Sequence, residues 1–309
     1  MESSRNMKPL QVSSGDLNAD RRADFAEMLL ASGEPAQAAE LLLGALDLAP
    51  RWAAGWFRLG EMREAAGSPD QAAKAWTMAL TLDPADRLGA TLKLQLTGYA
   101  PAAAAPPSAF VETLFDHYAD SFEDGLVQKL GYRMPDVLAK AIRAARPGRF
   151  RLALDLGCGT GLMGERLRPM VDRLEGYDIS AAMLRKARAK GIYDLLAKAD
   201  LQHFSLKGEK ADLAVAADVF IYVGALERIV GAMAEGLADG ALFAFSVETL
   251  ADGGDFALRP SRRYAHSEAY VRRILATGGF SILSLDPAVI RQDRHEPIEG
   301  LAIVAGKSP

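Results

Sequence analysis

Apolar positions recur along this chain with two different periods, and the change of period divides it. Up to residue 98 they follow helical spacing, whereas from residue 150 onward short apolar runs alternate with amphipathic stretches. The runs at 151–156, 173–178, 194–199, 211–217, 240–247, 279–286 and 300–306 read as strands, with helices in most of the gaps. Strands alternating with helices predict an α/β fold, a doubly wound and here seven-stranded Rossmann-like sheet. Only the non-helical stretch PAVIRQDRHEPIE joins the last two strands, which predicts a hairpin and one antiparallel strand added to a parallel sheet.

The N-terminal part repeats itself. Trp56, Leu59 and Gly60 are followed by Ala72, Trp76, Ala79 and Pro84, and Ala38, Leu42, Ala45 and Pro50 stand 34 positions before the last four. This pattern resembles the tetratricopeptide repeat, which implies paired antiparallel helices whose stacked surface takes a protein partner. The first copy departs from it, with Arg22 and Ala26 where the second has Trp56 and Gly60, and Arg63 stands where the family prefers tyrosine. A further helix from Asp86 to Leu96 is expected to cover the last apolar face. Beyond it the proline- and alanine-rich GYAPAAAAPPS has no period and suits an extended connector. The chain therefore reads as an N-terminal all-α helical repeat domain (1–98), a linker (99–109) and an α/β domain (110–309).

Candidate chemistry concentrates after the first strand of the α/β domain. There LDLGCGTG leads into a helix whose apolar face carries Leu162, Met163 and Leu167. Gly157, Gly159 and Gly161 let the backbone turn tightly and approach a ligand, and the helix start offers free N–H groups. A dinucleotide fingerprint would need glycine at 162, where Leu162 stands, so a nicotinamide oxidoreductase is disfavoured. The spacing D-x-G-x-G-x-G instead resembles that of the class I methyltransferases that use S-adenosylmethionine, and the resemblance covers residues 110–309.

That resemblance implies a set of roles. Asp155 would orient the loop or meet the methionine ammonium, while Gly157, Cys158, Gly159 and Gly161 line the ligand through their backbone. Asp178 would accept from the ribose hydroxyls, with Ile179 and Met183 beside it, and Asp200 and Leu201 would hold the adenine. Asp178 could equally cap the helix starting near Ala181, and Asp200 could be a turn residue. Asp218, Phe220 and Tyr222 follow the fourth strand, where the methyl group would face its acceptor. In the lead-in, Phe115, Tyr118 and Phe122 share one helical face and are expected to lie over the cofactor, with Tyr132 and Arg133 near its carboxylate; core packing and a surface ion pair are the plain alternatives. Tyr222, Glu248 and His266 are the candidate catalytic residues, and His266 suits a general base. His266 is alternatively a helix-start residue with Ser267 as the cap.

Composition narrows the setting. With 309 residues, half of them hydrophobic, the chain can build two cores. Its one cysteine, Cys158, excludes an internal disulfide, and His117, His203, His266 and His295 are too scattered for a local zinc motif. No apolar block reads as a secretory signal or membrane span, so the cytoplasm is the expected location. A net charge of −4 argues against nucleic acid as partner, and Arg262-Arg263 and Arg272-Arg273 read as solvated surface. The expected function is methyl transfer from S-adenosylmethionine to a small molecule or a protein. The alternative is a repeat-based adaptor whose second domain binds the cofactor without turning it over.

Overall fold

The computed structural model describes residues 13–123, 131–206, 208–251, 253–293 and 296–309. Part of the expected helical lead-in (124–130) and His295 lie outside the described residues. The chain divides into two compact units between Phe110 and Val111.

The first unit is helical. Its helices are α1 (Leu17–Ala31), α2 (Pro35–Leu46), α3 (Ala53–Ala65), α4 (Pro69–Leu82) and α5 (Ala90–Leu96). Asp16 starts α1 by accepting from the backbone N–H groups of Asn18 and Ala19, and Pro35 and Pro69 open α2 and α4 where a missing N–H costs nothing. The helices pack as α1 on α2 and α3 on α4, through buried alanines such as Ala38, Ala45, Ala72 and Ala79. Gly60 makes room for Trp76, since a Cβ there would stand 2.2 Å from the indole nitrogen, which donates to the Phe57 carbonyl at 3.2 Å. Where the first copy lacks tryptophan, Arg22 donates across to the Gly44 carbonyl at 2.7 Å. α5 begins later than the sequence suggests, because Asp86 sits at φ +55° and its carboxylate accepts from Ala90 and Thr91 at 2.6 and 2.9 Å.

The second unit is a sheet covered on both faces. Its strands are β1 (Phe150–Leu156), β2 (Val171–Asp178), β3 (Leu195–Lys198), β4 (Ala211–Ala216), β5 (Leu237–Thr249), β6 (Phe256–Leu258), β7 (Tyr264–His266), β8 (Phe280–Asp293) and β9 (Glu296–Lys307). The seven expected strands are all present. β3, β2, β1, β4 and β5 run parallel in that order, and β9 then pairs antiparallel with both β5 and β8. The short antiparallel pair β6–β7, which the sequence did not announce, brings the sheet to nine strands and joins the end of β5 in the register Thr249↔His266.

The helices of this unit are α6 (Ser108–Tyr118), α7 (Met134–Ala145), α8 (Leu162–Leu167), α9 (Ala181–Ala189), α10 (Glu227–Gly236) and α11 (Glu268–Thr277). Leu152, Leu154 and Leu156 of β1 pack with Ile229 and Met233 of α10 and Ile274 of α11, whereas Ala153 faces Leu138 and Ile142 of α7. Strand order reverses between β1 and β4, so a crevice opens beyond their carboxyl ends, where such sheets bind ligands.

Candidate active site

The glycine loop is held from two sides. The N–H groups of Gly157 and Cys158 donate to the Tyr177 carbonyl at 2.7 and 3.0 Å, and that of Gly159 donates to the Asp178 carboxylate at 2.8 Å. Gly157 lies at φ +67°, and a Cβ on it would stand 2.6 Å from the Val219 side chain. Gly159, at φ +53°, has no such neighbour; the nearest side-chain atom, on Phe122, lies 3.9 Å from where its Cβ would be, so the missing carbon leaves open space in the cleft.

Asp178 ends β2 with its carboxylate buried. Its other oxygen accepts from Ser180 N–H at 2.8 Å, and burial pushes its pKa up to about 6. It does not cap α9. That role belongs to Ser180, whose hydroxyl accepts from Met183 N–H at 3.1 Å and donates to Asp116 of α6 at 2.6 Å. Asp116 also accepts from Ala182 N–H at 3.0 Å, which ties the aromatic face of α6 to the start of α9. Asp200 follows β3 and accepts from Gln202 N–H at 2.9 Å, which turns Leu201 inward.

One cleft gathers most of the expected residues: Gly157, Cys158 and Gly159 of the loop, Asp178 and Ile179 after β2, Asp200 and Leu201 after β3, and Asp218 and Tyr222 after β4. Phe115 and Phe122 of the aromatic face also line it. Burial raises the Cys158 thiol well above its ordinary pKa, which leaves it an uncharged wall.

Eight expected residues are elsewhere, among them Phe220, which is fully buried against Phe243 and Phe245 in the core. Asp155 lies beneath the loop, where its carboxylate accepts from the Tyr193 hydroxyl at 2.6 Å, and burial pushes its pKa up to about 7. It also accepts from the N–H of Gly164 in α8 and has no place on the cleft wall. Gly161, at φ +97°, serves the entry into α8. Met183 packs with Ala119 and Ala182. Tyr118 is half-buried off the cleft, and Arg133 is an exposed residue at the start of α7. Its neighbour Tyr132 is the one turned inward, its hydroxyl donating to the Ala217 carbonyl at 3.2 Å.

The two remaining corrections concern catalysis. His266 is an inward residue of β7 with no exposed surface; its Nε2 lies 2.6 Å from the Gly224 carbonyl oxygen, to which it donates, and its ring stacks on Tyr270 at 5.9 Å. Burial pushes its pKa down to about 4, so it is a neutral packing residue with no access to an acceptor. Glu248 is buried at the end of β5, paired with the guanidinium of Arg291. Arg291 also holds Asp218, at 2.8 and 3.1 Å. Asp218 itself sits at φ +58°, its N–H donating to the Ser246 hydroxyl at 2.9 Å.

A pH-dependent stability difference follows from His266. Its folded pKa lies below the unfolded value of 6.5, so between about 6.5 and 4 only the unfolded chain gains the proton, and stability falls as pH falls through that window. Relative to His266→Phe, the wild type should lose up to about 1.4 kcal/mol per pH unit there, measured by urea unfolding. A difference independent of pH would place the imidazole in contact with water.

Sequence reasoning missed two arginines. Arg291 lies in the stretch read as a connector, and Arg263 was assigned to solvated surface. Arg263 lines the cleft instead, because the turn between β6 and β7, closed by Arg259 N–H to Arg263 carbonyl at 2.8 Å, carries it there. Among the described residues no cluster suited to a metal ion is found, and no helix is long and apolar enough to cross a membrane.

A family model described as a methyltransferase domain matches residues 154–245. The chain is 33% identical over 115 residues to human methyltransferase-like protein 27, which covers 36% of this chain and 45% of that protein. It is 24% identical over 168 residues to a malonyl-[acyl-carrier protein] O-methyltransferase of Hamiltonella defensa, covering 54% of this chain and 62% of that one. The chain thus spans about half the length of these relatives. Among solved structures, a methyltransferase from Clostridium acetobutylicum superposes with a TM-score of 0.48 at 18% identity, over 62% of this chain and 99% of that one. The residues matched by the methyltransferase-domain model, 154–245, include the glycine loop and the strands β2 to β4 beside it.

Proposed function

We propose that this chain transfers a methyl group from S-adenosylmethionine to a small-molecule acceptor and releases S-adenosylhomocysteine. The observation that carries the reading is the meeting of the glycine loop, Asp178 and Asp200 on one cleft beyond three adjacent strands. Asp178 accepts from the N–H groups of Gly159 and Ser180, one on each oxygen, and also from that of Ile179, which leaves the carboxylate room for a ribose hydroxyl without releasing the loop. Ile179 and Leu201 offer apolar surface to the adenine, and the open space above Gly159 suits the methionine portion.

S-adenosylmethionine supplies an activated methyl group on a sulfonium, which leaves alignment of the acceptor as the main task of the protein. The acceptor end is built for that. Among the cleft-lining residues after β4, Asp218 is held by Arg291, and the Tyr222 hydroxyl accepts from Arg263 Nε at 3.0 Å. The helical unit, with its tetratricopeptide-like spacing, recruits a partner or substrate and brings no chemistry of its own.

Incubating the protein with methyl-labelled S-adenosylmethionine and cell extract tests the reading by mass spectrometry. A labelled product formed together with S-adenosylhomocysteine is the expected result. Bound cofactor with no labelled small molecule would favour the non-catalytic adaptor, and label on protein alone would move the acceptor to that class.

A further inference from the structure

The acceptor end of the cleft holds two arginines in opposite conditions. Arg291 is buried and has its carboxylates in hand, Asp218 and Glu248. Arg263 is partly buried and lines the cleft, yet no carboxylate of the described residues lies within 4.0 Å of it. Its Nε is committed to Tyr222, and its two Nη nitrogens make no hydrogen bond to a described residue.

Tyr222 fixes the direction of that fork. Its hydroxyl takes the Nε hydrogen, and its ring packs edge-on against Phe115 with centroids 5.1 Å apart. The guanidinium lies 5.8 Å from the centre of the Tyr222 ring, so its Nη edge, unbonded among the described residues, stands beside the aromatic surface that Tyr222 shares with Phe115. A guanidinium stays charged in proteins and presents a planar pair of donors that matches a carboxylate in two parallel bonds.

The surroundings also set the charge of the ligand. Asp218 and Glu248 both act on the Arg263 guanidinium, which has no carboxylate partner among the described residues, and this setting suits a monoanion better than a dianion such as phosphate. A carboxylate needs no proton removed before it is bound or methylated, which agrees with a cleft where Asp218 is ion-paired and His266 and Glu248 are absent.

We propose that Arg263 recognises the methyl acceptor through a carboxylate, and that the acceptor is a small organic acid whose apolar body rests on Phe115 and Tyr222. This rests on the methyltransferase reading above. If the carboxylate is itself the acceptor, one of its oxygens forms the new bond to the methyl carbon as the carbon–sulfur bond breaks. The products are then a neutral methyl ester and S-adenosylhomocysteine, with no proton to move.

The test titrates the full chain with hexanoate, benzoate and phenylpropionate, with their amides and with phenyl phosphate, by ligand-observed NMR with and without S-adenosylhomocysteine. At least one acid should bind about tenfold or more tightly than its amide. Arg263→Gln should abolish that preference, Arg263→Lys should keep part of it, and both should bind S-adenosylhomocysteine as the wild type does. Acids and amides binding alike, no acid binding at all, or an acid preference that survives Arg263→Gln would overturn the proposal. A preference for phenyl phosphate over every acid would reassign the site to phosphate. Failure to bind S-adenosylhomocysteine counts against the cofactor reading and is seen separately, since the acid preference is also measured without it.

Discussion

Replacing Arg291 with methionine should destabilise the α/β unit by about 3–5 kcal/mol, because it strands two carboxylates away from water. The guanidinium side chain is 2% exposed, and those of Asp218 and Glu248 are 10% and 5% exposed. The loss is read as a lower urea midpoint for the unfolding of this unit. Neutralising the stranded partners in the triple variant Arg291→Met, Asp218→Asn, Glu248→Gln should recover most of it. The deficit of the single variant should also shrink in acid, as the Asp218 carboxyl, whose pKa burial raises, takes up a proton in the folded state. A loss under about 1 kcal/mol, as at an exposed ion pair, would show that water reaches the cluster.

Replacing Asp178 with alanine should weaken S-adenosylmethionine binding by about 1.5–3 kcal/mol, roughly tenfold to 150-fold, since bonds to a charged acceptor are lost. The substitution also frees the N–H groups of Gly159 and Ser180, which the carboxylate now holds at 2.8 Å each. Loop order and ligand contact therefore go together. With its pKa pushed up to about 6, Asp178 is the stronger acceptor above that pH. Wild-type affinity should fall as pH drops through about 6, and the alanine variant should show no such step. Calorimetry at a series of pH values checks both outcomes, and unchanged affinity in a folded variant would remove Asp178 from the site.

Long elements with a clean period were legible in the sequence, as were the residues at their ends. Gly157, Gly159, Asp178, Asp200 and Asp218 stand at or just after strand ends and so land on the cleft once the strand is placed. Short elements were not legible. β6 and β7 are three residues each, separated by the polar sequence RPSRR, and nothing in that stretch has a period. Without β7, His266 reads as a residue at the mouth of a helix; with it, the pairing Thr249↔His266 turns the ring into the core.

Arg291 was hidden for a related reason. β8 continues past Pro287 to Asp293, and its register with β9 shifts between Val289 and Arg291. The irregularity breaks the alternation of faces and lets the neighbours Ile290 and Arg291 both be buried. A sequence pattern that assumes strict alternation sends one of them to water. The two partners of Arg291 are 73 and 43 residues away, beyond the reach of any local motif. Arg133 and Tyr132 show the limit at a helix start, where adjacent residues point in different directions and the sequence alone does not say which faces inward.

Isothermal titration of the full chain with S-adenosylmethionine, with NAD in parallel, tests the cofactor assignment most directly. One S-adenosylmethionine bound per chain, with no heat from NAD, is the expected outcome. A folded protein that takes up NAD, or neither ligand, would contradict it.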